Sequence, residues 1–448
     1  MKELYDYIEQ NQEIYLSLLE KFCNQPSISI EDVGMEDMAE LVKETLIELG
    51  AKVELISTAG YPVVFGEIDN QAAKTILFYN HYDVQPVDPL EQWESDPFKT
   101  TRKDGRMFAR GVVDNKGTFL ARICAIDAYQ KTYGKLPVNL KFMVEGEEEA
   151  GSPNLEKFIT SNEDKLQCDG LIWEGGSRNI EGPLQVGIGV KGLSYIELRT
   201  KGPRTDLHSK NAGIVTSPVW RLVWALNTLK NENEEILIEG FYDDVVPMTQ
   251  DDYELLKAMP YDEAKMKESW GIDYFANNLT GVDLKKRLLY ECTCNICGLV
   301  AGYTKKGSKA ILPSEATAKL DFRLVYNQNP EKIADLVRSH LDKHGFQDIE
   351  VEYLKGEHPF STDINNPLAK AVLNSVEKIY DAPPVVYKNQ PGTSPLYIAC
   401  NTLNAPAVIF GAGHDASQIH APNENMYIKD FINCAKLTAT VLETFSKE

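Results

Sequence analysis

The chain has 448 residues, 46 of them Lys or Arg and 67 Asp or Glu, for a formal net charge of −21. That length allows two or three domains and a large core, and the acidic balance argues against nucleic acid or an anionic membrane surface as partner. No apolar run reaches the ~20 residues needed to span a bilayer, the start Met1-Lys2-Glu3-Leu4-Tyr5-Asp6 is polar, and eight cysteines suit a reducing compartment, so the expected location is the cytoplasm.

The first expected element is an amphipathic helix from about Leu4 to Cys23. A second runs from Asp37 to Leu49, with Gly50 as its stop. Strand patterns follow at Lys52–Ile56, Val63–Ile68 and Thr75–Asp83. After a loop bearing Pro and Trp come a helix at Asn115–Tyr129 and strands at Val138–Glu145 and Gly170–Trp173. Alternating strands and helices predict an α/β catalytic domain with a mostly parallel central sheet flanked by helices. Ligands gather at the carboxyl ends of such strands.

Past Gly182-Pro183 the pattern changes. Half-exposed strands are expected at Val190–Thr200, Ala316–Val325 and Ile349–Leu354, and helices at Pro218–Lys230 and Pro330–His344. This reads as an inserted α+β domain at 188–362, dividing the first domain into 1–187 and 363–448. An acidic stretch, Tyr242–Leu289, should hold short helices and loops. Cys292, Cys294 and Cys297 cluster, but no second Cys/His pair lies near them. They are expected to be structural. A helix at Pro367–Tyr380, a strand at Ala407–Gly411 and a helix at Ile428–Phe445 complete the chain.

Chemistry-bearing residues recur where apolar strands end. His81 and Asp83 close the strand after Thr75; two residues apart, they point the same way. Asp114 stands at a strand-to-helix junction, where a plain helix N-cap is the alternative. The strand Val138–Val144 runs into Glu145, Glu147, Glu148 and Glu149. So much like charge is costly there unless a cation compensates. Glu174 follows Ile172-Trp173, and His420 follows the last strand through a Gly-rich loop, Gly411 to Glu424. Two histidines and several carboxylates at strand ends suit two divalent ions with one bridging carboxylate. Another glutamate would serve as general base. Spacing alone does not decide which of Glu147, Glu148 and Glu149 does what.

These motifs, with Phe108-Ala109-Arg110-Gly111-Val112-Val113-Asp114-Asn115-Lys116-Gly117 among them, resemble a co-catalytic zinc metallopeptidase family. It includes carnosinase-type dipeptidases, aminoacylase, acetylornithine deacetylase, succinyl-diaminopimelate desuccinylase and glutamate carboxypeptidase. The resemblance spans essentially the whole chain and is greatest to the carnosinase-type branch. It implies that His81, Asp114, Glu149, Glu174 and His420 bind two metal ions, zinc first and manganese or cobalt as alternatives. It further implies that Asp114 bridges them, that Asp83 clamps His81, and that Glu148 is the base acting on a metal-bridging water, leaving Glu147 a bystander. The Asp114–Asn115 peptide is expected to be cis.

The inserted domain resembles the family's lid and dimerisation domain. The resemblance implies that His208 reaches the partner subunit's active site in a homodimer, that Arg323 grips a substrate carboxylate, and that Thr393 belongs to a substrate-binding turn. Three residues depart from the family pattern: Lys210 for a glycine, Ala310 for a threonine, and Glu174 for the aspartate of the dipeptidases. The expected activity is hydrolysis of small peptides, dipeptidase- or carboxypeptidase-like, next to a free carboxylate. An N-acyl amino acid deacylase is the alternative, and a non-catalytic binding protein is the remote one.

Overall fold

The computed structural model describes residues 1–179, 182–380 and 382–448. They form two compact units: Met1–Ile188 with Thr362–Tyr387 and Ile398–Glu448, and Gly189–Ser361 with Lys388–Tyr397.

The first unit is built on an eight-stranded sheet in the order Lys52–Ile56, Val63–Ile68, Asn139–Glu145, Thr75–His81, Gly170–Trp173, Ala407–Ile409, Gln185–Gly187, Val385–Tyr387. The pairings around Thr75–His81 and on to Ala407–Ile409 are parallel. Antiparallel pairs join Lys52–Ile56 to Val63–Ile68 and that strand to Asn139–Glu145. The central strands are largely apolar because the sheet is covered; Gly170–Trp173 is buried at every position. Lys116–Tyr133, buried almost all round, packs against Ile428–Phe445, which in turn packs against Pro367–Tyr380.

Two expectations needed correction. The helix expected over Leu4–Cys23 is two helices, Lys2–Gln10 and Gln12–Asn24. Asn11 breaks it: its side chain turns back to donate to Tyr7 O at 2.8 Å, a local bond that competes with helix continuation. The strand expected to reach Asp83 ends at His81. By Val84 the backbone has left the ladder, and its N–H donates to Ser27 O at 2.8 Å instead.

The second unit carries a four-stranded antiparallel sheet in the order Thr293–Ala301, Glu315–Leu324, Gly192–Lys201, Glu350–Glu357. Alternate residues Ala316, Ala318, Leu320, Phe322 and Leu324 turn inward, where Leu222, Leu229, Ile333 and Val337 of the helices Pro218–Leu229 and Pro330–Lys343 meet them. Both helices begin with Pro at N1 behind a capping side chain, Ser217 and Asn329. Cys292 and Cys294 belong to the same core, whereas Cys297, expected to pack with them, is exposed. The acidic stretch holds three helices, Gln250–Ala258, Glu263–Trp270 and Gly281–Tyr290. Among the described residues no helix is long and apolar enough to cross a membrane.

Candidate metal centre

His81 is the last residue of its strand, and only 1% of its side chain is exposed. Its Nδ1 faces Asp83, 3.1 Å from the carbonyl oxygen and 3.3 Å from Oδ1. That fixes the ring and turns Nε2 toward Asp114 Oδ1 at 3.2 Å, with Glu148 Oε2 at 4.0 Å. Asp114 offers its other oxygen, Oδ2, to His420 Nε2 at 3.1 Å, and Glu149 Oε2 meets the same nitrogen at 3.1 Å. Ligand-type atoms of His81, Asp114 and Glu174 lie within 4.8 Å of one another, as do those of Asp114, Glu149 and His420. Asp114 is thus common to two three-residue groups, and a third joins His81, Glu148 and Glu149.

The model of peptidase family M20/M25/M40 matches residues 77–444. The chain belongs to that family. It is 27% identical to human Beta-Ala-His dipeptidase, over 98% of this chain and 91% of the relative. It is 28% identical to a Cys-Gly metallodipeptidase of Schizosaccharomyces pombe, over 98% and 97%. Among solved structures, the M20 family metallo-carboxypeptidase Sso-CP2 of Sulfolobus solfataricus is similar at TM-score 0.87 and 41% identity, covering 97% of this chain and 99% of that one. Human carnosine dipeptidase 1 is similar at TM-score 0.78 and 26% identity, covering 100% and 99%.

For this peptidase the local backbone explains how the carboxylates converge. Gly146 follows the strand Asn139–Glu145, and a Cβ there would meet the Tyr82 ring at 2.3 Å. The close approach brings the Glu148–Ala150 turn over the end of the neighbouring strand. Asp83 then holds that turn: Oδ1 accepts from Glu148 N–H at 3.2 Å, and Oδ2 from Glu149 N–H at 3.0 Å and Ser29 Oγ at 2.7 Å. Glu147 points elsewhere and accepts from Asn154 Nδ2 at 2.8 Å. Asp114–Asn115 is a cis peptide.

The donor set fits divalent cations. Glu149 Oε1 is buried with no hydrogen-bond partner, an arrangement that is costly for a carboxylate oxygen unless a cation takes it. Burial, with the Glu148 and Asp114 carboxylates beside it, pushes Glu174 up to about 8. Burial also pushes Glu148 up to about 7, helped by Asp114 and Glu149 and opposed by His81. Asp114 and Glu149 raise His420 to about 10. Burial works against the charge on His81, yet Asp114 and Asp83 hold it well above the usual imidazole range. The cluster carries more carboxylate than its histidines neutralise.

His208, Arg323 and Thr393 belong to the second unit. His208 is exposed, on a short strand paired with Ile311–Leu312. Its Nδ1 accepts from Lys210 N–H at 3.1 Å, so the neutral ring carries its proton on Nε2. The turn is held by main-chain groups: Ser209 N–H donates to Ala310 O at 3.0 Å. The departures at Lys210 and Ala310 therefore leave the backbone donor and acceptor around His208 in place. Arg323, partly exposed, has Asp321 as a distant partner at 3.8 Å. Thr393 is half-buried in its loop.

Sequence reasoning passed over several residues that shape the centre. Gln85 Nε2 donates to Glu149 Oε2 at 2.9 Å. Asn115 Nδ2 reaches Glu174 Oε2 at 3.4 Å, while its Oδ1 accepts from Asn80. Arg122, fully buried, donates to Asn80 Oδ1 and to the carbonyls of Tyr79, Ile172, Trp173 and Phe410, drawing three strand ends together. Asn115 lay inside a motif already noticed and Gln85 two residues past Asp83; Arg122, mid-helix, gave no sign.

Proposed function

We propose that this chain is a two-metal peptidase that hydrolyses the amide bond of small peptides next to a free carboxylate. The observation that carries the reading is Asp114, set between His81 and His420 with one oxygen toward each, while Glu148 stands beside the group 28% exposed. His81, Asp114 and Glu174 would hold one ion and Asp114, Glu149 and His420 the other. Bound there, the ions would acidify a water and polarise the scissile carbonyl. Zinc is the first candidate on this N/O donor set, and manganese or cobalt could replace it.

Glu148 accepts the proton of the attacking water and returns it to the leaving amine. His208 offers its Nε2–H to the developing oxyanion, and Arg323 holds the substrate carboxylate through parallel hydrogen bonds. Thr393 lines the substrate turn. The names of the relatives, two dipeptidases and a metallo-carboxypeptidase, support peptide hydrolysis, and none of these three is named for deacylation. Glu174 in place of aspartate is, by the family resemblance, more typical of carboxypeptidase and deacylase members than of dipeptidases.

A homodimer completes the proposal. One edge of the second unit's sheet is the strand Thr293–Ala301, where Ile296, Leu299 and Val300 are 49%, 54% and 70% exposed. Trp220 and Trp224, stacked at 5.9 Å and largely exposed, add apolar area on a helix of the same unit. An open apolar edge favours strand addition by a second copy. Eight free cysteines support a reducing compartment, the cytoplasm.

The test is a panel of unblocked dipeptides, longer peptides, and N-acetyl or N-succinyl amino acids. It is run on metal-free protein reloaded with zinc, manganese or cobalt. Release of an amino acid from unblocked peptides is expected; turnover of the acyl amino acids alone would replace the peptidase reading by the deacylase one.

A further inference from the structure

Glu424 lies four residues past His420 and is fully buried. Its carboxylate takes no part in the candidate ligand groups. Instead it collects the loop that ends in Asp114. Oε1 accepts from Val113 N–H at 2.9 Å and Asp114 N–H at 3.1 Å; Oε2 accepts from Gly111 N–H at 2.9 Å and Arg110 Nη1 at 3.0 Å. Gly111 makes this ring of amides possible with φ +79, a conformation side chains rarely adopt. Such a concave set of N–H groups is an anion nest, and here the anion belongs to the protein.

The same residue anchors the loop bearing His420. Glu424 O accepts from Ala109 N–H at 3.2 Å, and the next residue closes the loop, Asn425 N–H donating to Ser417 O at 2.9 Å. Between these ties His420 sits at φ +60 and Asn423 at φ +64. Non-glycine residues persist there only where the surroundings impose it. One carboxylate therefore grips the backbone of Asp114 on one side and fixes the base of the His420 loop on the other.

We propose that Glu424 is a positioning residue that sets Asp114 and His420 against each other, and thereby how tightly the centre holds divalent metal. This rests on the two-metal reading. Asp114 is the residue common to both ligand groups, so losing Glu424 weakens both ions together. Glutamine at 424 keeps one oxygen but presents an NH2 group to amides that can only donate. Groups that orient ligands in this way typically change metal affinity by about 10–100-fold.

The experiment is competition between the protein and a chromophoric chelator for zinc, with cobalt absorption bands as a second readout. It compares wild type, Glu424→Gln, and Glu424→Gln with Arg110→Met. The double variant removes the buried guanidinium that the single one leaves unpaired. Expected are two ions in each protein, held roughly 10–100-fold more weakly in the variants, altered cobalt bands, and kcat recovered at excess metal with KM unchanged. A folded variant with wild-type metal affinity would overturn the proposal. Wild type taking up no second ion would overturn the two-metal reading beneath it. Amide exchange of metal-free wild type gives a check without substitution: Gly111, Val113 and Asp114 should be protected, and rapid exchange there would sink the idea.

Discussion

The Asp83 carboxylate accepts the backbone N–H of Glu148 at 3.2 Å, so the residue that orients His81 also holds the proposed base. Glu148→Gln keeps that backbone bond and the volume of the side chain while removing the basic oxygen. Turnover should fall by roughly 10²–10⁴-fold with both ions retained. Metal analysis beside single-turnover kinetics checks this, and near-normal rates in a fully loaded variant would move the base elsewhere.

Metal removal should act on stability as well as activity. Without cations Glu149 Oε1 has no partner and the carboxylates crowd one another. A ligand held at a hundred times its Kd stabilises the folded state by about 2.7 kcal/mol. Dialysis against a chelator should abolish turnover and lower the melting temperature, and divalent metal should restore both. A melting curve indifferent to chelation would mean that the cluster holds no metal in solution.

His208 offers a test of assembly. Subunits with His208→Ala and subunits with Glu148→Gln should each be nearly inactive alone. In a mixed dimer with shared sites, one site would draw Glu148 and His208 from different intact sources. With equal mixing and free exchange, roughly a quarter of wild-type activity should return. Demonstrated exchange without recovery would end the shared-site idea.

Asp252 links pH to stability in the second unit. It is 3% exposed, caps the helix Gln250–Ala258 with Thr249, and accepts from Lys388 Nζ at 2.8 Å. Burial alone would raise its carboxyl; the bonds from Lys388 and Thr249 outweigh that and hold it below the ordinary value. The unfolded chain then binds the proton more readily than the folded one. The contribution is complete above the unfolded value of about 4 and is lost as pH falls through the lower folded value. Asp252→Asn should cost roughly 1–3 kcal/mol near neutrality and much less at low pH. Denaturation at pH 7 and near pH 3 measures the difference; an equal cost at both would contradict it.

Much of the centre was legible because its chemistry sits at strand ends, where apolar runs stop at His81, at the glutamates after Val144 and at Glu174. The pattern of alternate residues in Ala316–Val325 likewise announced a half-covered strand. Glu424 was hidden for a physical reason: three of its carboxylate's four partners are main-chain amides 310 to 313 residues away, and amides leave no mark in a sequence. Asn11 was missed because periodicity on both sides of it is helical, and only its side chain's bond to Tyr7 O breaks the run.

The first unit is assembled from three stretches of chain, and Ala407–Ile409 lies inside its sheet, between Gly170–Trp173 and Gln185–Gly187. During synthesis the strands before residue 188 emerge first, followed by Gly189–Ser361, the larger part of the second unit. Until the later residues arrive, the nascent sheet has an open seam along Gly170–Trp173, a place for chaperones to act and for wrong pairing to begin. His420 and Glu424 arrive later still. A ribosome-bound chain therefore carries His81, Asp114, Glu149 and Glu174 before His420 has been made, and the candidate centre has its full set of residues only after residue 420 emerges.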